Sequence, residues 1–167
     1  MSVSFDVFVH AFLNKITCYD FVDMDEEDFA TQVDQYLLAA CAEFENVFRK
    51  RTGCSFADYD KDNRCFNWNF PSFDPGDQKE VYSDYIWGDE VVDIISDGMV
   101  CKWLKSFLYS GDNMDLGNFM STKDFSPYSP SNFMNALHNL HDTTMSHYKD
   151  LIKDFSYNHG RLTDLHM

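Results

Sequence analysis

Along residues 89–157, apolar side chains recur at the three- and four-residue spacing of a helix twice over, and prolines punctuate the interval between the two runs. The first run is Val91, Ile94, Ile95, Trp103, Leu104, Phe107 and Leu108, closed by Gly111; the second is Phe133, Leu137, Leu140, Thr144, Tyr148, Leu151 and Phe155. Ser129 suits the N-cap of the second helix, and Pro130 its first turn, where a missing N–H costs nothing. Two long amphipathic helices on a short connector lie antiparallel, and each leaves an apolar stripe that the rest of the chain must cover. That requirement organises the reading of everything upstream.

Phe5, Phe8, Phe12, Leu13 and Ile16 predict a short helix that begins near Ser4 and Asp6. After a connector over 19–24, Asp25 caps a longer helix, whose inner face is Phe29, Val33, Tyr36, Leu37, Ala40, Cys41, Phe44, Val47 and Phe48. Glu26, Glu27 and Asp28 complement its amino-terminal dipole, and Arg49, Lys50 and Arg51 followed by Gly53 mark its end. Residues 54–88 lose the helical period. Phe66, Trp68 and Phe70 alternate with polar neighbours there, and 54–59 and 64–70 are placed to pair as a β-hairpin across 60–63. We read 54–88 as an aromatic insertion that packs on the helices or reaches a neighbouring subunit. Residues 112–124 hold one or two helical turns, and 125–130 are extended ahead of their prolines. Beyond Gly160 comes an apolar tail of the kind that docks or frays. The expected fold is mainly α: a bundle of four main helices over 1–156 with an irregular or β-hairpin insertion, and an extended arm over 157–167.

Charge narrows the function. Twenty-eight acidic residues against 13 basic give −15 in 167 residues, so the electrostatic attraction behind non-specific nucleic-acid binding is reversed. An acidic wall past which DNA slides without sticking fits the same numbers. No 18-residue apolar run occurs and no secretory pattern opens the chain, so no membrane partner and no export are expected. Cys18, Cys41, Cys54, Cys65 and Cys101 include no C-x-x-C pair and read as reduced thiols.

Chemistry-bearing patterns each have a plainer alternative. Asp58, Asp60 and Asp62 imitate the start of a calcium loop, but Asn63 stands where glycine is favoured and Asn69 where a bidentate Glu belongs; a solvated acidic turn is the simpler reading. His138 and His141 sit three apart, with Asp142 beside them and only His10 or His159 as a distant third ligand, so polar-face histidines are the default and no metal site is expected. Ser156, His159 and Asp154 lack the strand-to-helix elbow of a nucleophile, and no glycine precedes a Lys-Ser or Lys-Thr pair. The residues therefore predict a non-enzymatic protein without a cofactor, rich in interface-forming aromatics.

Three blocks carry a family resemblance: Asp97-Gly-Met-Val-Cys-Lys-Trp-Leu-Lys-Ser-Phe-Leu, Ser121-Thr-Lys-Asp-Phe-Ser-Pro-Tyr-Ser-Pro-Ser-Asn, and Asp154-Phe-Ser-Tyr-Asn-His-Gly-Arg-Leu-Thr-Asp-Leu-His. Together they resemble small neck proteins of tailed bacteriophages, the head-to-tail adaptors also called connectors or head-completion proteins. The resemblance covers roughly the last 80 residues and the helical layout of the first 50, but not 54–88. It implies a structural virion protein, made in the host bacterial cytoplasm, that forms a ring of about twelve copies below the portal and extends the DNA channel to the tail. It implies as partners the portal protein and other neck or tail proteins, with DNA passing without specific binding. Tyr157, Arg161, Leu162, Leu165 and Met167 would then be the docking arm, and Phe66, Trp68 and Phe70 would face a neighbour or the tail. Two other classes fit the composition: a small acidic inhibitor or regulator that mimics DNA charge, and a metal-binding helical protein.

Overall fold

The computed structural model describes residues 2–16, 20–67, 84–109 and 130–159. Their order is β1 (Ser2–Ser4), α1 (Phe5–Leu13), a single 3₁₀ turn (Asp20–Val22), α2 (Glu26–Thr52), β2 (Tyr59–Asp60), β3 (Cys65–Asn67), α3 (Asp84–Tyr109) and α4 (Pro130–Asn158). The fold is mainly helical, four helices in a bundle with a small antiparallel sheet, as the sequence pattern predicts.

Local chemistry sets the helix ends. The Ser4 hydroxyl accepts the Asp6 N–H at 3.2 Å and starts α1. Asp25 accepts the Glu26 N–H at 3.0 Å, and at the far end of α2 Gly53 takes a left-handed φ of 77° and donates its N–H to the Arg49 carbonyl at 2.9 Å. Helix α3 begins at Asp84, earlier than its apolar run suggests, because the helix continues through Gly88. A glycine inside a helix costs about 1 kcal/mol relative to alanine, which the packing of a long helix outweighs. Gly111 and Ser129, the expected helix boundaries, the connector between them and the arm beyond 159 lie outside the described residues, as do Trp68 and Phe70.

One apolar core joins every helix and the sheet. Phe5, Phe8 and Phe12 from α1, Val33, Leu37, Phe44 and Phe48 from α2, Ile94, Ile95 and Met99 from α3, and Tyr148 and Phe155 from α4 are all buried in it. Where α2 ends, Glu45 turns the chain back: its carboxylate accepts the Ser55 hydroxyl at 2.7 Å and the Phe56 N–H at 2.8 Å. Phe56 is thereby stacked on Phe48, with ring centroids 4.2 Å apart. The expected hairpin is present, but shorter, as β2 and β3 joined across Lys61 to Arg64. A third strand, which no local sequence pattern marks, completes the sheet. Ser2, Val3 and Ser4 pair antiparallel with Asn67, Phe66 and Cys65, which puts β3 in the middle.

That third strand corrects the reading of Phe66. It is fully buried, packed edge-on to Phe8 at 5.6 Å and Phe56 at 5.5 Å, and tilted against Phe5 at 4.7 Å. Phe66 therefore belongs to this chain's own core and presents nothing to a partner. The alternation around it marks a sheet whose inner face rests on α1 and on Phe56.

Candidate partner-binding surface

The last turn of α4 is fastened to two other helices before the chain leaves the described region. His159 places Nε2 2.8 Å from a carboxylate oxygen of Glu90 on α3, with its ring 4.5 Å from that of Phe155. The Arg51 guanidinium on α2 donates to the Ser156 hydroxyl at 3.2 Å. Phe155 itself is buried edge-on to Phe44, 5.0 Å between centroids. Between these anchors, Tyr157 points outward at 82% exposure. A large aromatic ring held in water by a fixed helix end is suited to contact something else. Arg161, Leu162, Leu165 and Met167 follow it directly in sequence and lie outside the described residues.

This arrangement separates the residues that imitated a hydrolytic triad. Ser156 is engaged by Arg51, His159 by Glu90, and Asp154 stands exposed on α4. The acidic turn is likewise occupied. One oxygen of Asp60 accepts the backbone N–H groups of Asp62 and Asn63 at 2.9 and 3.1 Å, and the other accepts the Asn63 side-chain amide at 2.6 Å. These bonds, that from the Asn63 side chain foremost, hold the Asp60 carboxyl below the ordinary carboxylate range. Arg64, at a left-handed φ of 47°, closes the turn. Its guanidinium forks onto both oxygens of Asp34 at 2.9 and 2.6 Å and reaches Asp6 at 2.9 Å, which ties the sheet to α1 and α2. Among the described residues, no three His, Cys, Asp or Glu side chains gather closely enough to hold a metal ion.

The histidines of α4 face in different directions. His138 is exposed, whereas His141 is largely covered, with Nδ1 3.3 Å from Asp142. His147 approaches Asp97 of α3 at 3.8 Å. Asp97 also receives Lys15 at 2.8 Å, which joins the end of α1 to the same helix, and Lys15 reaches Asp93 at 2.6 Å. Among the described helices none is long and apolar enough to cross a membrane.

The apolar stripe of α4 also departs from its sequence pattern. Tyr148 and Phe155 are buried, but Leu140 is 53% exposed, and none of the described side chains before Tyr148 on this helix is fully buried. Helix α2 packs against α4 much less than against α3. No protein-family model, curated protein or solved structure matches the chain.

Proposed function

We propose that this chain is a structural virion protein, a head-to-tail adaptor that assembles as a ring below the portal of a tailed phage and continues the DNA channel toward the tail. The observation that carries the reading is the combination at the carboxyl end: an anchored helix terminus that displays Tyr157, followed by a segment within the neck-protein-like block that supplies Arg161, Leu162, Leu165 and Met167. Such an arm inserts apolar anchors into pockets of a partner, and the fixed last turn of α4 aims it.

The charge supports the same reading. A molecule at −15 repels the DNA phosphates, so a channel built from it lets the duplex pass without adhering. A helical bundle in which Lys15, Arg64 and Lys102 tie one element to another suits a subunit that must hold its shape in a ring. Partners are therefore the portal, further neck or tail proteins, and other copies of this chain.

The test is a protein census of purified particles from the phage whose genome encodes the chain. The adaptor reading expects it in full virions at a copy number close to that of the portal subunit, and in DNA-filled heads that await a tail. A chain abundant in the lysate but missing from purified particles would overturn the reading and favour a soluble acidic regulator.

A further inference from the structure

Helices α2 and α4 keep their cations for their last turns. Helix α2 has no Lys or Arg before Arg49, and α4 has none before Lys149. The two helices run in the same direction, because Tyr148 donates to the Ala40 carbonyl and, further along both, Arg51 donates to Ser156. These cations therefore gather toward one end of the bundle, the end that displays Tyr157, while Glu26, Glu27 and Asp28 stand exposed at the opposite end, where α2 starts. On α4, Lys149, Lys153 and Tyr157 are all exposed and follow one another at four-residue spacing, so they form one row. Carboxylates share this end. Asp150 pairs with Lys153 at 3.0 Å and Glu90 is taken up by His159, whereas Asp89 and Asp154 stand exposed. Lys149 has no ion-pair partner among the described residues.

We infer that the row of Lys149, Lys153 and Tyr157 is the contact surface for an acidic segment of the partner protein. Charge decides the occupant. At −15 most of the chain favours a basic partner, but this row offers an exposed aromatic ring beside two exposed ammonium groups. Its complement is a segment that carries carboxylates together with an apolar or aromatic side chain to cover the ring. Nucleic acid is anionic too, yet a duplex brings one charge for about every 1.7 Å of its length past Asp89, Asp154 and the acidic remainder of the chain. A short segment sets its carboxylates on Lys149 and Lys153 alone. Separation of charge along the bundle also turns this end toward an acidic partner during approach. The inference rests on the adaptor reading for the identity of the partner, the portal.

The test measures binding of the full chain to the purified portal ring at low and high salt, with duplex DNA as competitor, for the wild type, Lys149→Glu/Lys153→Glu and Lys149→Arg/Lys153→Arg. Both positions are exposed, so the variants should keep the wild-type helical circular dichroism. The expected result is at least about tenfold weaker binding of the charge-reversed variant at low salt and a smaller difference at high salt, with binding retained by the arginine variant and unaffected by DNA. Equal binding of the wild type and the charge-reversed variant would overturn this surface while leaving the adaptor reading intact. A loss shared by the arginine variant, or one that salt does not diminish, would overturn it as well. Displacement of the portal by duplex DNA would overturn the choice of a protein segment. A wild type that does not bind the portal at all would overturn the inference, and the particle census would then decide the adaptor reading separately.

Discussion

At Gly98 three helices come into close contact. A Cβ built there would stand 2.7 Å from the Tyr148 ring and 2.8 Å from the Ala40 side chain, so α2, α3 and α4 close on this position with no room for a methyl group. The ring cannot easily retreat, because its hydroxyl donates to the Ala40 carbonyl at 2.8 Å from a fully buried site. Gly98→Ala gains up to about 1 kcal/mol in helix propensity but incurs an overpacking cost of about 1–3 kcal/mol, so net destabilisation is expected in urea denaturation. A more stable variant would mean that the ring moves aside. Tyr148→Phe keeps the ring and loses one hydrogen bond, an effect of about 0.5–1.5 kcal/mol.

The same contact region should lose stability in alkali. Burial pushes the Cys101 thiol up to about 11 from an ordinary 9.0, and raises Cys41 and Tyr148 in the same direction. In each case the folded state holds the proton more tightly than the unfolded one. Their contribution is therefore fully present below pH 9.0 and is lost as pH rises from there toward the folded values. Denaturation midpoints should hold through neutral pH and fall above that point, and a flat profile to pH 11 would contradict the buried placement of these groups.

At the scale of elements, the sheet behaves as part of the core. Phe66→Ala on β3 should cost about 3–5 kcal/mol, as expected for a fully buried aromatic. Tyr157→Ala at the end of α4 should change stability by no more than about 0.5 kcal/mol. Comparable effects at the two positions would reverse their assigned roles. The contrast also marks what the sequence made legible. The helices were readable because their apolar spacing and caps are local signals: Ser4, Asp25 and Gly53 act within one to four residues of themselves. Phe66 was not, because its burial depends on Ser2–Ser4 pairing with a strand some sixty residues away. Alternation in a strand indicates that one face is covered but not by what. The exposure of Leu140 was hidden for the same kind of reason, since a helical stripe indicates which side chains could be buried and tertiary packing decides how many of them are. Of the candidate site, the Tyr157 position was readable as the helix end; the anchors that fix it, Arg51 and Glu90, come from distant helices and leave no local pattern.

For the whole molecule, a bundle closed by polar ties displays Tyr157 at the end of α4, and Tyr109 stands exposed at the end of α3. Lys15 ties α1 to α3, Arg64 ties the sheet to α1 and α2, and Lys102 pairs with Glu43 between α3 and α2. Partly exposed pairs of this kind contribute little stability one at a time, about 0–1 kcal/mol each, but they fix the orientation of the elements that carry the proposed contacts. In the proposed assembly, the terminus at Tyr157 is the part that would meet the portal. The most direct test is native mass spectrometry of the purified portal ring with this chain, intact and with residues 157–167 deleted, each with and without a chelator. The adaptor reading predicts a mass increase of about one chain per portal subunit for the intact protein, unaffected by chelation, and none for the truncated one. A portal ring that gains no mass from the intact chain, or gains it equally from the truncated chain, would contradict the role assigned to the arm.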